Sequence, residues 1–85
     1  MSPADVVTLY GRPGCHLCDE ARVGLEEMLL AGLSFELREV DIEGDEELHR
    51  RLLELIPAID VNGTRVSELI FEPDAVLARL DTFPP

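Results

Sequence analysis

A chain of 85 residues with 46% hydrophobic side chains, few aromatics and no Trp holds one domain with a mostly aliphatic core; it is too short for two domains and too apolar for disorder. Eighteen acids against seven arginines and no lysine give a net charge of −11, which repels phosphate backbones and anionic bilayers and argues against nucleic-acid and membrane binding. Two cysteines are too few for the framework of a small secreted domain, no stretch approaches the ~20 apolar residues of a membrane span, and no secretory signal is visible, so the expectation is a cytoplasmic protein.

The elements alternate quickly. "DVVTLY" (5–10) is a β-branched run closed by Gly11 and Pro13 and reads as a buried strand. From Cys15 to Ala31, Leu17, Ala21, Leu25, Met28 and Leu29 recur at helical spacing, and Gly32 ends the helix. "SFELREVDI" (34–42) reads as a strand, but Phe35 and Leu37 share one parity while Val40 and Ile42 share the other. That switch predicts a bulge or kink at Arg38–Glu39.

Asp45 has the chemistry of an N-cap, followed by Glu46 and Glu47, with Arg50 and Arg51 later to match the helix dipole. Leu48, Leu52 and Leu55 supply its apolar stripe, and His49 reads as a surface residue of the same helix. "AIDV" (58–61) and "RVSELI" (65–70) flank Asn62–Gly63–Thr64, a strong hairpin signal. Pro73 suits a first helical position, and Val76, Leu77 and Leu80 face inward. The order β-α-β-α-β-β-α implies a mixed four-stranded sheet with helices on both faces, the first two strands parallel. We expect a single domain over 1–85, ordered over 5–81, with residues 1–3 and 83–85 as loose ends.

The chemistry-bearing motif is "GRPGCHLC" (11–18). It places Cys15 where the first strand gives way to the first helix. Unpaired N–H groups and the dipole put positive potential there, which favours the thiolate. Arg12, three residues earlier, adds a cation. Cys18 lies three residues on, near the same helical face, and is placed to attack a mixed disulfide on Cys15.

Other uses of the pair compete with this one. A structural staple closing so small a ring yields only about 2 kcal/mol. Two unpaired core thiols would have to fall together at a helix start by chance. Zinc wants four ligands, and neither His16 nor His49 completes such a set. Copper(I) needs only two thiolates, but small copper carriers run β-α-β-β-α-β, and residues 43–56 lack the strand they require.

"LYGRPGCHLC" (9–18) and "IPAIDVNG" (56–63) together resemble the glutaredoxins of the thioredoxin-like superfamily, in particular the small bacterial-type glutaredoxin-like proteins, over residues 5–81. The resemblance implies an α/β, thioredoxin-like fold and a thiol–disulfide oxidoreductase with Cys15 as nucleophile and Cys18 as resolver. It implies a cis Ile56–Pro57 bond facing the cysteines, with Tyr10, Ile56 and Pro57 shaping the substrate groove, and a thiolate-supporting His16, since strongly oxidising relatives of the superfamily place a His between their cysteines. On that reading free backbone groups of Ile56 pair with an extended substrate.

No tightly bound cofactor or metal is implied, although some glutaredoxins share an iron–sulfur cluster, so carriage of a metal or cluster by the same cysteines is the alternative. Glutathione-binding members carry a Gly-Gly pair and an acid after the hairpin. Here "SELIFEPDAV" (67–76) has no glycine, and its tempting acid, Asp74, reads as a helix cap. The expected partners are a disulfide-containing protein or small thiol as substrate and a reductase or low-molecular-weight thiol as electron donor, with the chain itself a monomer.

Overall fold

The computed structural model describes residues 5–80. In chain order it contains β1 (Val6–Gly11), α1 (His16–Leu30), β2 (Glu36–Asp41), a 3₁₀ turn (Ile42–Gly44), α2 (Glu46–Leu52), β3 (Ala58–Val61), β4 (Thr64–Glu68) and α3 (Pro73–Leu77). The strands form one sheet in the order β2-β1-β3-β4. β1 runs parallel to β2 from Val6↔Glu36 to Gly11↔Asp41 and antiparallel to β3, and β4 closes the edge antiparallel to β3. The expected ends at 1–3 and 83–85, and Asp81, lie outside the described residues. No helix among the described residues is long and apolar enough to cross a membrane.

Strand alternation divides the interior. Val7 and Leu9 of β1 and Ile59 and Val61 of β3 point to one face, where they bury Ala21, Leu25 and Met28 of α1 and Val76 of α3. Burial of each such Val, Leu or Ile contributes about 1.5–3 kcal/mol, so this cluster carries most of the stability. Tyr10, of opposite parity, meets Leu48 and Leu52 of α2 in a second, smaller cluster with Ile42, Ile56 and Cys18. Helices therefore cover both faces.

The hairpin forms as its sequence suggests. Asn62 (φ 51°) and Gly63 (φ 85°) both take the left-handed conformation that a two-residue turn of this hand demands. Asn62 also ties the turn to β1: its Oδ1 accepts from Val6 N–H at 2.9 Å and its Nδ2 donates to Asp5 Oδ1 at 3.0 Å. Asp45 caps α2 by accepting from Glu47 and Leu48 N–H groups, and Pro73 opens α3.

Four expectations change. The pairing of β2 with β1 is continuous through Arg38–Glu39, and the register shift lies instead between Ile59 and Asp60. No kink is needed, because the sheet has apolar material on both faces and Ile42 reaches its cluster from the 3₁₀ turn. Leu17 is 48% exposed, while Cys18 is 5% exposed; the buried stripe of α1 keeps Ala21, Leu25 and Met28 of the expected line and begins at Cys18 in place of Leu17. β4 stops at Glu68 because Leu69 takes φ 70° and leaves the strand. Asp74 sits within the first turn of α3, whose N-cap is Glu72.

Candidate active site

The end of β1 and the start of α1 bring the two sulfurs together. Cys15 is the N-cap of α1, with extended backbone (φ −89°, ψ 108°), and its Sγ accepts from the Cys18 N–H at 3.2 Å. A first-turn amide, one of the groups a helix cannot pair internally, is thus directed at the sulfur. Such donation favours the thiolate when the pair is reduced. Cys15 and Cys18 are joined as a disulfide with a Cα–Cα separation of 5.2 Å. Cys15 is half-buried and Cys18 nearly closed off, so the two sulfurs differ in access as attacker and resolver require.

Gly11 makes this packing feasible. A Cβ on it would lie 3.0 Å from Cys18 Cβ and 3.1 Å from Cys18 Sγ, tighter than a buried side chain accommodates without moving. In the sequence Gly11 reads as a strand terminator, and its place directly before the cysteine loop is the signal for this packing role.

On the β2 side, a cleft of about 340 Å³ is lined by Gly11, Arg12, Cys18, Asp19, Arg22 and Glu39 among others. Arg22 is engaged there, 3.3 Å from Asp19 and 3.6 Å from Glu39. Arg12 is exposed, lines the same cleft as Cys18 and has no carboxylate partner among the described residues. His16 differs from expectation. Its ring is 85% exposed and pairs with Glu20 Oε1 at 3.2 Å rather than with a sulfur, because helical spacing puts Glu20 one turn away on the same face.

The Ile56–Pro57 peptide bond is cis. Ile56 packs in one cluster with Cys18, and Tyr10 and Cys15 pack against it, so the structure gathers four of the sequence-selected residues. Pro57 is fully buried. The backbone expectation for Ile56 is corrected: its N–H donates to Leu52 O at 3.1 Å, because the chain leaving α2 is still turning there, and only its carbonyl is left for a partner strand. The Tyr10 ring lies beneath the Arg65 guanidinium, 5.6 Å from its centroid, a cation–π contact. Arg65 also pairs with Asp60 and, at 3.0 Å, with Glu68. Burial alone would lower its pKa; hydrogen bonds and charge from those two acids outweigh burial and raise it above the ordinary arginine value. This anchor for Tyr10 was not anticipated, since nothing in the spacing of Arg65 announces it.

Sheet order, helix placement and a Cys-x-x-Cys pair at the first helix start define a thioredoxin-like protein. Solved structures agree. The solution structure of protein Ne2328 from Nitrosomonas europaea superposes with a TM-score of 0.75 at 28% identity, covering 95% of each chain. A mutant thioredoxin from Halobacterium salinarum gives a TM-score of 0.63 at 14% identity, covering 96% of this chain and 80% of that one. Oxidised thioredoxin from Plasmodium falciparum gives 0.59 at 20% identity, covering 91% of this chain and 77% of that one. No curated protein matches the sequence. Residues 6–81 match the family described as Glutaredoxin-like domain (DUF836), and the chain belongs to it. A glutaredoxin-like fold carrying a disulfide-forming Cys15–Cys18 pair supports a redox role.

Proposed function

We propose that the protein is a thiol–disulfide oxidoreductase. The observation that carries this reading is the N-cap geometry of Cys15, whose Sγ accepts a first-turn amide at 3.2 Å while the bonded Cys18 is 5% exposed. In the reduced protein the Cys15 thiolate attacks one sulfur of a substrate disulfide. A Cys15–substrate disulfide forms, the substrate bond breaks, and the departing thiolate takes a proton from water. Cys18 then gives up its proton and attacks Cys15 Sγ. The Cys15–Cys18 bond closes and the second substrate thiol leaves. Two electrons pass from the dithiol to the substrate, and a thiol or protein reductase returns them.

Arg12 supports the thiolate by charge, and the Ile56 carbonyl offers one backbone acceptor beside the cysteines. The chain works as a cytoplasmic monomer on this reading. Glutathione fits this surface poorly, because the stretch where its binders carry glycines presents the exposed side chains of Leu69 and Ile70, and a −11 surface opposes an anionic tripeptide.

The test is substitution of each cysteine. Cys15→Ser should abolish reduction of hydroxyethyl disulfide, a loss of at least about a thousandfold. Cys18→Ser should accumulate a mixed disulfide visible by mass. The Cys15 alkylation rate should titrate with a midpoint below the free-thiol value of about 8.5. Near-normal turnover in Cys15→Ser refutes the assignment.

A further inference from the structure

The end of β4 forms an exposed apolar turn against the proline loop, and what we infer from it rests on the redox reading above. At the end of β4 the chain turns on Leu69, whose φ of 70° lies in the left-handed region. Glycine holds that conformation freely; leucine holds it only when its surroundings impose it. Here they do. Leu69 N–H donates to Pro57 O at 2.9 Å and to Leu55 O at 3.1 Å, pinning the turn against the Ile56–Pro57 loop. The bond does not serve to bury the side chain, because Leu69 is 48% and Ile70 67% exposed.

Phe71 then crosses to α1. A Cβ added at Gly24 would fall 2.4 Å from its ring, so the ring lies directly on that helix face. Leu17 is seven residues before Gly24, two helical turns away on the same face. It sits between the two cysteines and is 48% exposed. Exposed apolar side chains therefore stand on both segments beside the disulfide: Leu17 on the α1 face that Phe71 covers further along, and Leu69 and Ile70 at the turn tied to the proline loop.

On the Phe71 side the bordering charge is negative. Glu72 and Asp74 follow it, exposed, and neither has an ion-pair partner among the described residues. The unneutralised Arg12 lies on the other flank, lining the cleft on the β2 side of Cys18.

We propose that these side chains select the substrate: an extended protein segment with an apolar residue beside its cysteine and lysine or arginine nearby. The apolar side chain seats against Leu17, Leu69 and Ile70, and the cations face Glu72 and Asp74. Glutathione offers neither feature. A second copy of this chain would bring a further net charge of −11 to the same acids.

The experiment uses the reduced full chain and synthetic peptides, each carrying one cysteine as a mixed disulfide with a chromogenic aryl thiol. The peptides differ only in flanking leucine or serine and in flanking arginine or glutamate. Every rate is divided by the same protein's rate on uncharged hydroxyethyl disulfide. The leucine–arginine peptide should react about tenfold faster than its glutamate counterpart at low salt. That gap should fall to within about twofold near 1 M salt. Leucine should exceed serine by about fivefold.

Glu72→Gln with Asp74→Asn should remove most of the charge preference, and Leu17→Ser with Ile70→Ser most of the apolar one. Equal peptide rates with hydroxyethyl disulfide still reduced overturn the inference and leave the redox reading standing. Failure to reduce any disulfide overturns both. Preferences that survive the four substitutions overturn the assignment to these side chains, as does a concentration-dependent dimer that Leu17→Ser with Ile70→Ser dissolves.

Discussion

The two apolar clusters of this small domain do different work. The larger, between the sheet and helices α1 and α3, is nearly all aliphatic and closes on itself. The smaller, at the end of the sheet where β1 runs into α1, combines Ile42, Leu52 and Ile56 with Cys18, and packs against Cys15 and Tyr10. One stabilises the fold and carries no chemistry. In the other, packing and chemistry share the same atoms, so a substitution there changes both.

The sharpest way to break this contrast is Leu25→Ala. Leu25 is fully buried at the centre of the larger cluster, and its truncation should cost about 2–5 kcal/mol by the transfer and cavity effects together. Denaturant unfolding measures that loss, and the rate per folded molecule on a small disulfide should stay unchanged. Gly11→Ala comes next and should behave oppositely. Its methyl meets Cys18 Cβ and Sγ, which should cost about 1–3 kcal/mol and also slow closure of the Cys15–Cys18 bond, read by stopped-flow quenching. A rate of closure equal to that of the parent would remove Gly11 from the site.

Ser67→Ala probes the larger cluster for a polar defect. Ser67 Oγ is buried without a hydrogen-bond partner among the described residues, so its deletion should raise stability by up to about 1 kcal/mol; a fall of that size in a thermal melt would show an unseen partner. Arg12→Gln has the smallest effect. An exposed charge is well screened, so Cys15 alkylation near neutral pH should slow by only about twofold, and less in high salt.

How much of this was legible beforehand varies with the range of the interaction. The N-cap at Asp45, the Asn62–Gly63 turn and Pro73 at the start of α3 were readable because each depends on two to four neighbouring residues. The cysteine pair was readable for the same reason: three residues of spacing on a helix put both sulfurs within bonding reach. Where several elements meet, the reading failed. A bulge was expected in β2 on the assumption of one buried face, whereas the chain uses both faces and turns Ile42 inward after the strand has ended. His16 follows Cys15 in the chain, yet its ring pairs with Glu20 one helical turn on.

By itself the sequence determined the element order and the spacing of the dithiol, because these follow from local backbone preference and from periodic burial. Only the tertiary structure decided what surrounds the sulfurs. The closeness of Gly11 to Cys18, the Arg65 cover over Tyr10, the donation of the Ile56 N–H to Leu52 and the left-handed turn at Leu69 each join residues brought together by folding. Such contacts leave no local pattern, since they arise from how separate elements fill shared space at the end of one sheet.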